Sequence, residues 1–251
     1  MNDQSQNFDD ALLDALNAFN RDDYETAYKL FLPLAEQGDM FAQHFLALLH
    51  LEEGVNQDYK EAVKLFLLSA EQGNMFAQYG LGYMYYEGQG VPQDYEEAVK
   101  WYRLSAEQGD ADGQCGLGEM YYGGEGVPQD YAEAIKLWKL AAEQGHEEAQ
   151  YNLGLMYYEG QGVPQDYNEA VKWYRLSAEQ GDAEAQNYLG MVYYQGQGVT
   201  QDYVLAHMWA NLGASNGSKD AIKGRNIVEK KMTPQQIEKA KEMARNWKAK
   251  K

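Results

Sequence analysis

Residues 149–181 read AQYNLGLMYYEGQGVPQDYNEAVKWYRLSAEQG, and this stretch decides the fold because close copies of it follow one another along the chain. The string AEQG begins at Ala35, Ala70, Ala106, Ala142 and Ala178, and a degenerate copy, ASNG, begins at Ala214. The spacings are 35, 36, 36, 36 and 36 residues. A fixed period of this length indicates an array of one repeated supersecondary unit.

Each copy predicts two helices. In the copy AQYGLGYMYYEG, Ala77, Leu81 and Met84 have the spacing of one buried helical face, and Gly88 ends the helix. A second helix begins near Asp94 and ends at the glycine of AEQG, where a left-handed residue is needed. At its start, Asp94 and Glu97 fit a capping box, in which each side chain bonds the other residue's backbone N–H. The same pair recurs as Asp58/Glu61, Asp130/Glu133 and Asp166/Glu169.

A single helix pair cannot bury its own apolar face, whereas stacked pairs can. The fold class is therefore predicted to be an all-α, α/α solenoid of about six to seven helix-turn-helix repeats with a C-terminal capping helix. Residues 1–38 form a degenerate N-terminal helix pair, and residues 218–251 form basic capping helices, the last starting at Thr233 and Pro234. The repeats between them, 39–217, divide into 39–73, 74–109, 110–145, 146–181 and 182–217. The first of these is one residue short in its loop, LEEGVNQDY at Leu51–Tyr59.

The charge of the chain is unevenly distributed. Through Gly217 there are 10 Lys and Arg against 35 Asp and Glu, a charge of −25, whereas the remaining residues carry +7. An acidic body argues against nucleic acid as a partner, because phosphates require a basic surface. No apolar run is long enough to insert in a membrane, and the polar start has no signal segment. The compartment stays open: cytoplasmic, or periplasmic or secreted if a signal peptide was removed.

The titratable residues do not form a recognisable catalytic or metal motif. The carboxylate pairs recur every 36 residues at capping spacing, which favours structural caps over acid–base catalysis. The four histidines, His44, His50, His146 and His207, form no local cluster with one another or with cysteine. Cys115 has no basic neighbour in sequence, which favours an inert thiol. We therefore expect no catalytic residue, no metal site and no cofactor.

The repeat resembles the Sel-1-like repeat, a relative of the tetratricopeptide repeat, and Gln150 to Gly181 follow its pattern almost letter for letter. The tail is also similar to bacterial members, with AHMW at Ala206–Trp209 and MTPQQIEKA from Met232. The resemblance covers about Asp22 to Lys248. It implies a right-handed solenoid that serves as a scaffold for proteins or peptides in bacterial envelope, signalling or host-interaction roles. A cysteine-rich subset of the family binds or slowly hydrolyses β-lactams, and this chain lacks the cysteine pairs of that subset.

The expected binding surface is one stripe of the first helices. With the repeat glutamine as position zero (Gln43, Gln78, Gln114, Gln150, Gln186), positions −1, +3, +6 and +7 are predicted to form the buried face. Positions +1, +5 and +8 lie on the opposite face, which the resemblance places on the concave surface. These positions, here called the stripe, give the predicted partner-binding residues: His44, Leu48, Tyr79, Tyr83, Tyr86, Glu119, Tyr122, Tyr151, Leu155, Tyr158, Asn187, Met191 and Tyr194. Leu51 and Cys115 occupy the remaining stripe positions.

The leading hypothesis is a scaffold, monomeric or weakly oligomeric, that grips a protein or peptide segment along the stripe. Positions +1 and +5 differ between copies, as expected of positions that serve one particular ligand, and tyrosine is a favourable contact residue. An alternative for the stripe is packing against the first helix of the next repeat. Alternatives for the function are weak β-lactam binding or hydrolysis and a purely structural or oligomerisation role.

Overall fold

The computed structural model describes the backbone of residues 3–52 and 57–249, and the side chains from Asp10 onward within those ranges. Fourteen α-helices and no strand lie in these ranges. The helices are α1 (Asp3–Phe19), α2 (Tyr24–Glu36), α3 (Met40–Leu49), α4 (Tyr59–Glu71), α5 (Met75–Glu87), α6 (Tyr95–Glu107), α7 (Ala111–Gly123), α8 (Tyr131–Glu143), α9 (Glu147–Glu159), α10 (Tyr167–Gln180), α11 (Ala183–Gln195), α12 (Tyr203–Ser215), α13 (Lys219–Glu229) and α14 (Pro234–Asn246). The predicted one-residue deletion falls partly on residues 53–56, which lie outside the described residues.

The helices form two compact units, Met1–Gln129 and Asp130–Lys251, here called the N-terminal and C-terminal units. Within each unit, helices that are consecutive in sequence pack against each other. The N-terminal core contains Phe31, Phe66 and Leu81, each fully buried. In the C-terminal unit Tyr174 and Leu189 are equally buried. The predicted all-α helical repeat solenoid is confirmed.

The predicted N-caps are present. The other half of each predicted capping box, in which the glutamate bonds back to the N-cap N–H, is wrong. The Asp94 carboxylate accepts hydrogen bonds from the backbone N–H groups of Glu96 and Glu97, at 3.0 and 3.1 Å. The Asp94 N–H, however, donates to the carbonyl of Tyr85 at 3.0 Å. Glu97 therefore does not bond back and pairs instead with Lys100 at 3.0 Å. The other three predicted pairs show the same ion pairs: Glu61–Lys64, Glu133–Lys136 and Glu169–Lys172.

In two first helices, α5 and α9, a glycine accommodates an aromatic ring of the following second helix. A Cβ atom built on Gly82 would lie 2.7 Å from the ring of Tyr102, and one on Gly154 would lie 2.5 Å from Tyr174. Both separations are too short for a real contact, so only glycine lets the paired helices approach this closely. The predicted helix stop at Gly88 is also confirmed, since this residue is the left-handed C-cap of α5 with φ of 70°.

The repeat glutamine joins three successive helices by hydrogen bonds. Gln78 on α5 is buried, and its Nε2 donates to the carbonyl of Ala70 at the end of α4, at 3.2 Å. Its Oε1 accepts from Nε2 of Gln108, the glutamine of AEQG at the end of α6, at 2.7 Å. The buried amide is thus satisfied on both sides, which a polar group removed from water requires.

This glutamine relay recurs in both units. In three other copies the amide-to-amide bond runs from Gln72 to Gln43 at 2.8 Å, from Gln180 to Gln150 at 2.9 Å, and from Asn216 to Gln186 at 2.9 Å. In the last copy the degenerate ASNG string supplies an asparagine amide in place of glutamine. The relay explains why the glutamine of AEQG is repeated as well as its glycine.

We predict that Gln78→Leu lowers the free energy of unfolding by about 1–2 kcal/mol, because both relay bonds of this repeat are lost. Urea unfolding followed by circular dichroism measures the change. The matched control is Gln93→Leu, which removes a single hydrogen bond from an exposed side chain to the Tyr86 carbonyl. A Gln78→Leu effect no larger than that of the control would contradict a stabilising role for the relay.

Candidate interaction surface

In the N-terminal unit, stripe residues of two neighbouring first helices line one cavity of about 350 Å³. His44 and Leu48 come from α3, and Tyr79 and Tyr83 come from α5. Leu51, which follows α3, is a fifth stripe residue in the lining. The structure therefore brings together side chains that are separated by more than one repeat of sequence. Ligand cavities in proteins range from roughly 300 to 1,000 Å³, so this one is large enough for a side chain or a short segment.

The apolar part of this cavity is built by two phenylalanines that the stripe did not include. Phe66 on α4 is fully buried, and Phe76 at the start of α5 is 43% exposed. The His44 ring lies between them, with centroid distances of 5.8 Å to Phe66 and 6.1 Å to Phe76. A Cβ at Gly80 would lie 2.9 Å from the Phe66 ring, so the missing side chain leaves the cavity open above this ring.

His44 is a buried polar group within these apolar walls. It is 9% exposed, and its Nδ1 atom has no hydrogen-bond partner among the described residues. Burial lowers the pKa of His44 from 6.5 to about 4, because desolvation disfavours the charged imidazolium. The ring is therefore neutral at pH 7, and Nδ1 can accept or donate a hydrogen bond according to the tautomer.

The tyrosines of α5 differ in their exposed fraction and in their contacts with neighbouring rings. Tyr83 is 40% exposed, whereas Tyr79 is half-buried with its ring 5.7 Å from that of Tyr102. Tyr86 is also half-buried and packs against Tyr95 at 5.6 Å, away from the cavity lining. Tyr83 is thus the tyrosine of α5 with most surface available to a partner.

In the C-terminal unit, stripe residues line a second cavity of about 570 Å³. Asn187, Met191 and Tyr194 on α11 form one wall together with Tyr158 on α9. The other wall belongs to α13, which packs on α11 and α12 and contributes Lys223 and the 51% exposed Ile227. The capping helix is therefore part of this cavity, which the repeat pattern did not predict.

A second group of tyrosines in this unit packs between helices. The Tyr188 ring on α11 stacks on Tyr174 of α10 with centroids 4.9 Å apart, and Tyr151 and Tyr158 of α9 lie 5.9 and 5.7 Å from Tyr188. Burial, foremost, raises the pKa of the Tyr151 hydroxyl above its usual range. Tyr151 therefore fits the alternative prediction for the stripe, in which its residues pack against the first helix of the next repeat. Tyr158 packs in this way and also lines the cavity.

The remaining predicted residues lie outside both cavity linings. Glu119 and Tyr122 on α7 and Leu155 on α9 are half-buried, and Cys115 is buried. Phe76, which sequence reasoning missed, lies at position −2 of its repeat. That position reads Phe41, Phe76, Asp112, Glu148 and Glu184 in successive copies. The variation between copies that singled out positions +1 and +5 would have identified position −2 as well.

We predict that the stability of the chain depends on pH through His44. Between pH 6.5 and about 4 the unfolded chain binds a proton on this residue and the folded chain does not, because its folded pKa is depressed. The stabilisation is complete well above pH 6.5 and is lost as the pH falls, with a slope that approaches about 1.4 kcal/mol per pH unit. Urea unfolding at pH 6.5 and pH 5.0 should show a loss about 1.5 kcal/mol smaller in His44→Asn than in the native chain.

Asparagine is the appropriate replacement because it does not titrate and stands at the equivalent position 187 of a later repeat. Equal pH dependence of the two proteins would show that His44 titrates normally in the folded state. Unfolding at pH 7.5, where both side chains are neutral, reports any change in packing separately.

Stacked helix pairs joined by a repeated glutamine relay, with cavities lined by variable side chains, define a protein of the helical-repeat scaffold class. The chain belongs to the Sel1 repeat family, whose model matches residues 20–39, 41–74, 76–110, 111–146, 147–182 and 183–218. The predicted family membership is therefore confirmed. Sel1 repeat proteins are generally protein-interaction scaffolds and are typically non-enzymatic.

Solved structures of bacterial proteins share the fold. A Sel1 repeat protein from Oxalobacter formigenes is 33% identical, with a TM-score of 0.80, over 94% of this chain and 99% of its own. The protein c5321, a protective antigen of uropathogenic Escherichia coli strains, is 39% identical over 88% of this chain, with a TM-score of 0.76. The match covers 48% of c5321, so this chain spans about half the length of that protein. No curated protein matches the chain.

Among the described helices, none is both long enough and apolar enough to cross a bilayer.

Proposed function

We propose that this chain is a scaffold that holds peptide segments of partner proteins on the stripe, with the cavity of the N-terminal unit as the principal site. The observation that carries the proposal is the convergence of His44, Leu48, Tyr79 and Tyr83 on one cavity. These residues occupy positions +1 and +5, two of the positions that differ between copies. Scaffold positions repeat because they serve the fold, whereas these positions are free to serve a ligand.

The cavity has the composition of a protein-interaction site. Its walls are mainly apolar and aromatic, and an exposed tyrosine at its edge supplies a large contact area with little side-chain entropy to lose. The unpartnered Nδ1 of His44 supplies one buried polar contact for a group of the bound segment. A peptide fits these walls because it can insert one apolar side chain while its backbone remains at the surface.

We predict that the double variant Leu48→Ala/Tyr83→Ala binds peptides at least tenfold more weakly than the native chain. Peptides are first selected from a random twelve-residue phage-displayed library on the immobilised native protein. Their dissociation constants are then measured by fluorescence anisotropy. A tenfold loss corresponds to about 1.4 kcal/mol, a normal effect for truncating two interface anchors.

The matched control is Tyr59→Ala. Tyr59 is 37% exposed, close to the 40% of Tyr83, and lies on a second helix. We expect this variant to retain full affinity and both variants to retain native helical content. If no selected peptide depends on Leu48 and Tyr83, the stripe is not the binding surface and the proposal fails.

A further inference from the structure

In every repeat helix pair that contains Lys or Arg, these residues lie on the second helix. Through Gly217 the chain has 10 Lys and Arg, and apart from Arg21 all of them lie on second helices: Lys29 on α2, Lys60 and Lys64 on α4, Lys100 and Arg103 on α6, Lys136 and Lys139 on α8, and Lys172 and Arg175 on α10. The first helices α3, α5, α7, α9 and α11 contain no Lys or Arg. The first helices that carry the stripe therefore supply no Lys or Arg, and the lining of the cavity in the N-terminal unit contains neither.

The same first helices carry carboxylates beside the stripe. At position −2, next to positions +1 and +5 on a helical projection, the later copies have Asp112, Glu148 and Glu184. Asp112 lines the cavity of the N-terminal unit, and Glu119 is itself a stripe residue. On the second helices Glu61, Glu97, Glu133 and Glu169 each pair with a lysine one turn away.

The electrostatic environment of the tyrosines agrees with this segregation. Burial raises the pKa of Tyr86, and the carboxylates of Glu125, Glu119 and Glu87 raise it further. In the C-terminal unit burial and then Glu159, Glu184 and Asp220 raise the pKa of Tyr188. In both units the charged groups that act on these rings are acidic.

We infer that the segment bound by the stripe is cationic, with arginine or lysine side chains beside at least one apolar residue. The inference rests on the proposed function and specifies the chemistry of the partner. The apolar side chain enters the cavity between His44, Phe76 and Tyr83, while the cations lie over tyrosine faces and reach Asp112 and Glu119. Tyrosine rings attract cations through their negative faces, and an arginine can bond a carboxylate with two parallel N–H groups.

The charge distribution also argues against an acidic segment as the partner. An acidic segment would meet first helices that contain no Lys or Arg, within a part of the chain, residues 1–217, whose net charge is −25. Complementary charge speeds encounter and suppresses wrong partners more than it adds affinity, so a cationic requirement acts mainly as a specificity filter. The interaction should weaken as salt screens the charges.

The library selection provides the test, with two variants of equal net charge. Asp112→Asn/Glu119→Gln removes two carboxylates from the stripe surface, and Glu61→Gln/Glu97→Gln removes two from the second helices of the same unit. We expect the selected peptides to be enriched in Arg and Lys over the library and to lose at least tenfold in affinity with the first variant. With the second variant the loss should stay below twofold.

The outcomes separate this inference from the proposed function. Peptides that require Leu48 and Tyr83 but show no enrichment in Arg or Lys would overturn the cationic partner and leave the scaffold function standing. Equal losses with the two carboxylate variants would also overturn it, because the attraction would then be a property of net charge alone. Selected peptides that ignore Leu48 and Tyr83 would overturn both proposals.

Discussion

The buried glutamine of each first helix fixes the arrangement on which the surface depends. Its amide bonds a carbonyl at the end of the preceding second helix and an amide at the end of the following one. A side chain held on both sides cannot turn without leaving a buried polar group unpaired, so the rotation of the first helix about its axis is set. The orientation of the opposite face of the same helix, which carries the stripe, is thereby set as well.

Close approach of the helices follows from a different requirement. Gly82 and Gly154 leave room for the rings of Tyr102 and Tyr174, so each second helix lies against the backbone of its first helix. Within one repeat, glycine therefore controls the distance between the helices, and glutamine controls their rotation. Positions outside these two requirements are free to change, and it is among them that copies differ.

The sequence was sufficient for the helices, their N-caps and their glycine stops, because each depends on residues within one or two turns of each other. It was insufficient where a backbone group had two possible partners. The Asp94 N–H bonds the Tyr85 carbonyl across the loop, so Glu97 is left to pair with Lys100. The relay was missed for a related reason, since Gln78 and Gln108 are 30 residues apart and no local rule connects them.

For the candidate site, periodicity identified the helix face but could not say which tyrosines face solvent. Tyr79 and Tyr151 both occupy position +1, and each packs on a tyrosine of the following second helix, Tyr102 or Tyr174. Tyr151 also contacts a tyrosine of the next first helix, Tyr188. The two copies differ at position +2 of that next helix, which is Tyr188 after Tyr151 and Gly116 after Tyr79. A glycine at this position leaves space beside the stripe and a tyrosine fills it, so one repeat pattern changes the packing of its stripe by exchanging a single residue of the neighbouring helix.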